Sequence, residues 1–160
     1  MARYHMNKEE REITDRNELF DLLKKGRFTT VSMCRDGKPY LVTLNYGFDA
    51  AKNALYFHSA VKGLKMDFIG DNPRVCATVV EDRGYLMNEC AHAYRSVVFW
   101  GKMTIVEEME EKMHGMEVLL NHLEDNPDVV RERTLRDDQA YTDLGILRLD
   151  IEEISGKQGQ

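Results

Sequence analysis

Long apolar runs are missing from this 160-residue chain. No stretch approaches the roughly 18 apolar residues that a membrane-spanning helix requires. The first residues, Met1-Ala2-Arg3-Tyr4-His5-Met6, lack the apolar core of a secretory signal. Cysteine is scarce and unpatterned: Cys34, Cys76 and Cys90 form no C-x-x-C pair. An odd number of thiols without a secretory signal predicts reduced cysteines and a cytoplasmic location. Cys90 and His92 are metal-ligand types set close together, but no second pair stands at zinc-site spacing, so no metal is expected. The glycine signatures of phosphate loops and dinucleotide folds are absent, which removes those two readings. Ser59 lacks a G-x-S-x-G context and no carboxylate flanks His58, so a serine-histidine-acid triad has no support. Positive charge is in deficit. With 22 Lys and Arg against 28 Asp and Glu, the net charge is −6, which argues against indiscriminate nucleic-acid binding.

What is present is ordinary for a globular protein: 42% of residues are apolar. The length fits one domain burying about 70% of its unfolded surface without disulfides. Residues 1–12 and 157–160 are expected to be flexible. Asp15-Arg16-Asn17-Glu18 has the form of a capping box, followed by Leu19, Phe20, Leu22 and Leu23 at helical spacing and Gly26 as a C-terminal stop. Phe28–Cys34 reads as a strand and Asp36-Gly37 as a hairpin turn. Tyr40–Tyr46 alternates, with Tyr40, Val42, Leu44 and Tyr46 on one face and Leu41, Thr43 and Asn45 on the other. Ala54–Ser59 and Arg74–Glu81 are further strands, separated by a short helix that Asn72-Pro73 breaks. Residues 83–93 read as an excursion.

Tyr94–Trp100 continues through a bulge at Gly101 to Val106. Glu107–Leu123 is the longest helix, with Met109, Met113, Met116, Leu120 and Leu123 as its apolar stripe. A polar stretch reaching Asp138 has room for another short helix, and Leu144–Ile154 is the last strand. The expected class is mainly β with inserted helices, in a small antiparallel barrel of six or so strands.

Leu55–Lys65 concentrates the candidate chemistry. An apolar run ends at His58 and Ser59, and Ala60, Lys62, Gly63 and Lys65 lead into a helix. Small residues, ammonium groups and a helix start together suit an anion, although two such lysines also occur as solvated surface. Thr43 and Asn45 are either a hydrogen-bonding wall or a solvated strand face. His58 has three open roles: proton donor, stacking partner or satisfied core residue. Arg95, Ser96, Phe99 and Trp100 could border a flat ligand. Otherwise Phe99 belongs to the core and Trp100 to a subunit interface.

These segments, taken in order, resemble the FMN-binding split barrels related to pyridoxamine 5′-phosphate oxidase, and most of all the nitroimidazole-resistance or flavin-nucleotide-binding branch. The carrying stretches are G-R-F-T-T-V at 26–31, P-Y-L-V-T-L-N-Y at 39–46, L-Y-F-H-S-A-V-K-G-L-K at 55–65, N-P-R-V-C at 72–76, Y-R-S-V-V-F-W-G at 94–101 and I-S-G-K at 154–157. The resemblance implies a six-stranded antiparallel split β-barrel and a homodimer with two FMN sites at its interface. By the same resemblance, Val42, Thr43, Leu44 and Asn45 line the flavin ring, and Phe57, His58 and Ser59 continue that wall. Lys62, Gly63 and Lys65 hold the phosphate, while Arg95, Ser96 and Trp100 approach from the next strands or from the partner chain.

Two departures count against vitamin B6 oxidation. No basic residue lies between Lys38 and Lys52, and the basic substrate motif near the C-terminus is missing. The activity implied is that of a reductase, taking electrons from NADH, NADPH or another donor to a small oxidised acceptor such as a nitroaromatic. His58 is the candidate catalytic residue. The alternatives are a non-enzymatic flavin carrier or sensor, and a haem-binding split barrel using His58, His92 or His114.

Overall fold

The computed structural model describes residues 6–159. After a short 3₁₀ turn the elements are β1 (Glu12–Ile13), α1 (Arg16–Lys25), β2 (Phe28–Arg35), β3 (Lys38–Asn45), β4 (Gly47–Asp49), β5 (Ala54–Ser59), α2 (Leu64–Asp71), β6 (Arg74–Leu86), β7 (Ala91–Val106), α3 (Met109–Leu123), α4 (Pro127–Thr134), α5 (Asp138–Thr142) and β8 (Gly145–Gly159). No helix among the described residues is long and apolar enough to cross a membrane.

Local chemistry sets the first elements. The Asp15 carboxylate accepts the Asn17 N–H at 2.8 Å and caps α1. Asp36 and Gly37 both have positive φ, at 49° and 75°, the geometry that a tight two-residue hairpin between β2 and β3 demands. Gly26 ends α1 differently from a left-handed stop. Its φ is −66°, and the position is tight because an added Cβ would lie 2.4 Å from the Tyr46 hydroxyl.

The strands run in the order β3-β2-β6-β7-β8-β5-β4, with β1 attached to β8, and every pairing is antiparallel. β3 and β4 stand at opposite ends of this path, yet only Tyr46 separates them in the chain. The sheet must therefore curl until its ends meet, which makes it a barrel. Tyr46 sits at that junction, fully buried, and its hydroxyl donates to the Leu23 carbonyl at 2.6 Å. Burial pushes the pKa of this phenol up. Among the described residues there are eight strands rather than six. The two additional ones, β1 and β4, are only two and three residues long.

Residues on the inner faces of β2, β5, β6, β7 and β8 form the main core together with Leu19, Leu22 and Leu23 of α1 and Met66, Phe68 and Ile69 of α2. A second core lies under α3, where Met116, Leu119 and Leu120 pack against Tyr56, Val106, Tyr141 and Ile146. Of the stripe expected on α3, Met113 is 38% exposed and outside this core, while Gly115 and Leu119 are buried instead. The helix sits so close to β5 that Gly115, rather than a larger residue, meets the Tyr56 ring.

Three further expectations change. Residues 83–93 are no excursion: β6 and β7 continue as a two-stranded ribbon to Leu86 and Ala91, with the ladder shifting between Asp82 and Tyr85. Gly84, with φ of 99°, and Asn88 and Cys90, with φ of 68° and 49°, are the bulge and turn that make the segment read as loop. Residues 157–159 are not frayed, because Lys157 pairs with both Glu12 and Ser96, and Gly159 pairs with Tyr94. The same pairing orders Glu12, the last residue of the stretch expected to be flexible, and a 3₁₀ turn at Glu9–Arg11 precedes it, while 1–5 and 160 lie outside the described residues. The bulge near Gly101 is present, but the extra residue is on β8: Trp100 faces Glu153, Gly101 faces Ile151, and Glu152 is left over.

Candidate functional site

The site is built on the outer surface of the barrel. Alternation along β3 turns Leu41, Thr43 and Asn45 outward and Tyr40, Val42 and Leu44 toward the core. Across the ladder these meet Ser32, Thr30 and Phe28 of β2. Thr30 then neighbours Thr78 of β6, and Thr78 neighbours Val98 of β7. The outward positions from Pro39–Asn45 to Ser96–Trp100 therefore form a continuous face without one charged side chain. A chain in which 31% of residues are charged does not leave this central stretch of four adjacent strands uncharged, with Arg74, Asp82 and Lys102 only at its margins, without a reason. Phe28, Leu41 and Val80 are prominently exposed there.

At one margin of this face lies a cavity of about 520 Å³. Its polar wall is Thr43 and Asn45 from β3 with His58 from β5, and Leu44 lies between. Its other wall is apolar: Met116, Leu119, Leu120 and Leu123 of α3, Val130 of α4, then Leu135, Ala140 and Leu144. The two strands are not neighbours in the sheet, so closure of the barrel is what brings their side chains together. The polar wall is held in place. Thr30 and Thr43 hydroxyls hydrogen-bond at 3.1 Å, and the Asn45 amide donates to the Arg27 carbonyl at 3.0 Å. The apolar wall is held as well. His122 of α3 binds the Gly26 carbonyl through Nε2 at 2.6 Å, and Arg27 donates to the Leu123 carbonyl at 3.1 Å.

Residues matched to the family pattern divide into groups. Thr43, Leu44, Asn45 and His58 share the cavity. Val42 packs against the main core, Phe57 is fully buried within it, and the buried Ser59 donates to the Ala60 carbonyl at 3.0 Å. For Phe57 and Ser59, alternation after His58 sends the side chains inward, so only their backbone borders the outer wall. Lys62 and Gly63 are exposed and Lys65 is half-buried at the start of α2, outside the cavity lining. Gly63 caps that helix with φ of 140°, a conformation that L side chains rarely adopt, and an added Cβ there would meet nothing within 4 Å. Ser96 and Trp100 belong to the uncharged face. Arg95 is elsewhere: its guanidinium donates to Glu81 at 2.7 and 3.1 Å, and its side chain is only 12% exposed. Hydrogen bonding to Arg95 holds the Glu81 carboxyl at about 2.

The three histidines considered for haem are dispersed. His58 faces the cavity, His92 pairs with Asp82 at 2.6 Å on the ribbon, and His114 pairs with Asp49 at 2.7 Å beside α3. Among the described residues, no three His, Cys, Asp or Glu side chains cluster as metal ligands would. The apolar wall was not foreseen. Only the α3 stripe signalled it, because residues 124–138 read as polar, and their two short helices contribute few but well-placed apolar groups.

The profile described as pyridoxamine 5′-phosphate oxidase matches residues 15–158. The chain belongs to the pyridoxamine 5′-phosphate oxidase family. Solved structures agree on the split-barrel fold of this family. A candidate 5-nitroimidazole antibiotic resistance protein from Bacteroides thetaiotaomicron superposes with a TM-score of 0.77 at 22% identity, covering 98% of this chain and 96% of that one. A FAD-binding protein from Mesorhizobium loti gives 0.69 at 22% identity, covering 94% and 98%. A flavocytochrome from Azotobacter vinelandii gives 0.83 at 15% identity, covering 98% of this chain and 73% of that one. No curated protein matches the sequence significantly.

The residues present suit a flavin mononucleotide. A flat, carbonyl-rich ring needs a wall of donors and acceptors backed by apolar surface, as Thr43, Asn45 and the α3 side chains provide. A phosphate needs backbone N–H groups and cations with open space in front, as Gly63, Lys62 and Lys65 provide.

Proposed function

We propose that this chain is an FMN-binding reductase that acts as a homodimer. The observation that carries the reading is the joint wall of Thr43, Asn45 and His58, made by barrel closure and opening onto the uncharged face. Bound there, FMN would supply two-electron chemistry between a nicotinamide and a small oxidised acceptor such as a nitro compound. The chain's own work is to orient and to exclude water. Thr43 and Asn45 hydrogen-bond the ring edge, Lys62, Lys65 and the first N–H groups of α2 hold the phosphate, and the α3–α5 side chains keep the cavity dry. His58, the titratable group on the polar wall, is placed to hold or donate a proton. A second copy seated on the uncharged face would cover the open side of the ring, and it would bring its own Ser96 and Trp100 near.

Titration of the purified protein with FMN and with FAD tests the cofactor. A perturbed flavin spectrum with micromolar affinity is expected for FMN, and no binding of either flavin overturns the reading. FAD is the competing cofactor, since three of the similar structures are FAD-binding proteins. Steady-state oxidation of NADH or NADPH with nitroaromatic acceptors tests the reductase. Flavin binding without turnover would leave a carrier or sensor.

A further inference from the structure

The cavity has a marked charge bias that the flavin reading does not require. Among the described residues, the ionisable groups lining it are His58 and Glu124, an exposed carboxylate at the end of α3, with no lysine or arginine. Several cations on the surrounding elements are engaged elsewhere. Lys112 of α3 donates to the Leu144 carbonyl at 3.0 Å, and it also reaches the Tyr141 and Thr142 carbonyls. Arg131 of α4 is bound to Glu117 and Asp128, and Arg136 donates to the Glu132 carbonyl at 2.6 Å. Arg27 donates to the Leu123 carbonyl, behind the apolar wall. What the α3–α5 side offers a ligand is a surface of Leu, Val, Met and Ala side chains with one hydroxyl, Thr134, and a negative charge at its edge.

We infer that the apolar wall formed by Leu123, Val130, Leu135 and their neighbours is a binding subsite for an uncharged aromatic molecule, and that it rejects anions. An anion entering it would lose its hydration and gain no cation in return. Glu124 adds like-charge repulsion. A flat neutral ring loses nothing of that kind and buries apolar surface on entry. The inference rests on the proposed function for the place of the flavin, against which the second ring would lie, and it names the charge class of that site's second ligand. It also excludes a phosphate group itself from this subsite, so a nicotinamide donor would have to keep its phosphates outside it.

A matched pair of fluorescent probes tests it: neutral N-phenylnaphthylamine and its anionic counterpart, anilinonaphthalene sulfonate. Both are titrated into the whole protein, with and without FMN, and flavin binding is read separately from visible absorbance. The neutral probe should bind at least about tenfold more tightly, a difference of about 1.4 kcal/mol. Val130→Lys, which places a cation in the wall, should reverse the preference, and Glu124→Lys should narrow it. Both are gains in sulfonate affinity, and because a loosened fold also binds this dye, each variant must keep the wild-type near-UV circular dichroism and melting temperature for the gain to count. Equal affinity for the two probes overturns the inference, as does a Val130→Lys variant with unchanged preference. Loss of FMN binding with the probe preference intact would overturn the flavin reading alone.

Discussion

Glu111 shows how a single residue can be over-determined. It accepts from the Tyr56 hydroxyl, from Lys52 at 3.0 Å and from Arg148 at 2.9 Å. Burial alone would raise its pKa. The three donors outweigh burial and hold the carboxyl at about 2, against an ordinary 4.5. A depressed carboxyl stabilises the fold above its unfolded pKa and loses that contribution as pH falls through its folded value. Glu111 should therefore contribute roughly 2 kcal/mol near neutrality, after allowance for partial exposure, and that contribution should vanish between pH 4.5 and about 2. Thermal melts of wild type and Glu111→Gln across this range check it: the gap in melting temperature should close as pH drops. At the proposed phosphate end, Lys65→Ala should weaken FMN by about 1.5–3 kcal/mol, a loss of tenfold or more in a fluorescence titration. His58→Ala should leave FMN bound and change the pH profile of turnover. An unchanged profile would return His58 to a merely solvated position.

Among the elements, α3 carries a contest whose sign can be measured. Glycine inside a helix costs about 1 kcal/mol relative to alanine, so Gly115→Ala should stabilise an isolated helix by that amount. In this fold the added Cβ would lie 2.8 Å from the Tyr56 ring and 3.0 Å from Ile146, both buried at full depth. Overpacking of this kind costs typically 1–3 kcal/mol, so the variant should be destabilised in urea unfolding despite its better propensity. Legibility divides along the same lines. The hairpin at Asp36-Gly37 and the face of Thr43 and Asn45 were readable because turn chemistry and alternation are local. The ribbon over 83–93 was not, since the Gly, Asn and Cys that form its bulge and turn look like loop residues until their φ angles are known. Lys157–Gly159 look like a polar tail, and only their partners on two other strands make them sheet. The apolar wall of the cavity escaped because Val130, Leu135 and Leu144 come from three separate short segments, with no period linking them.

For the whole molecule, charge is sorted by surface. The stretch of outer face from Pro39–Asn45 to Ser96–Trp100 is free of it, whereas α3 and α4 are laced with ion pairs such as Arg131–Glu117. Leu41, 62% exposed on that face, makes no demand on the monomer core. Leu41→Lys should therefore leave the monomer folded while lowering the mass measured by light scattering from dimer to monomer, and FMN affinity should fall with it. A variant that stays dimeric, or a wild type that is monomeric, would separate the uncharged face from self-association.

β8 gives the architecture a consequence for synthesis. This one strand pairs with β1, β5 and β7, elements spread across the preceding chain. While a ribosome is still making residues 1–144, β2–β3 and β4–β5 can form as separate hairpins, but β5 and β7 keep bare edges of the kind that template misassembly. Closure must wait until β8 clears the exit tunnel, so the barrel stays open while all the strands before it are made.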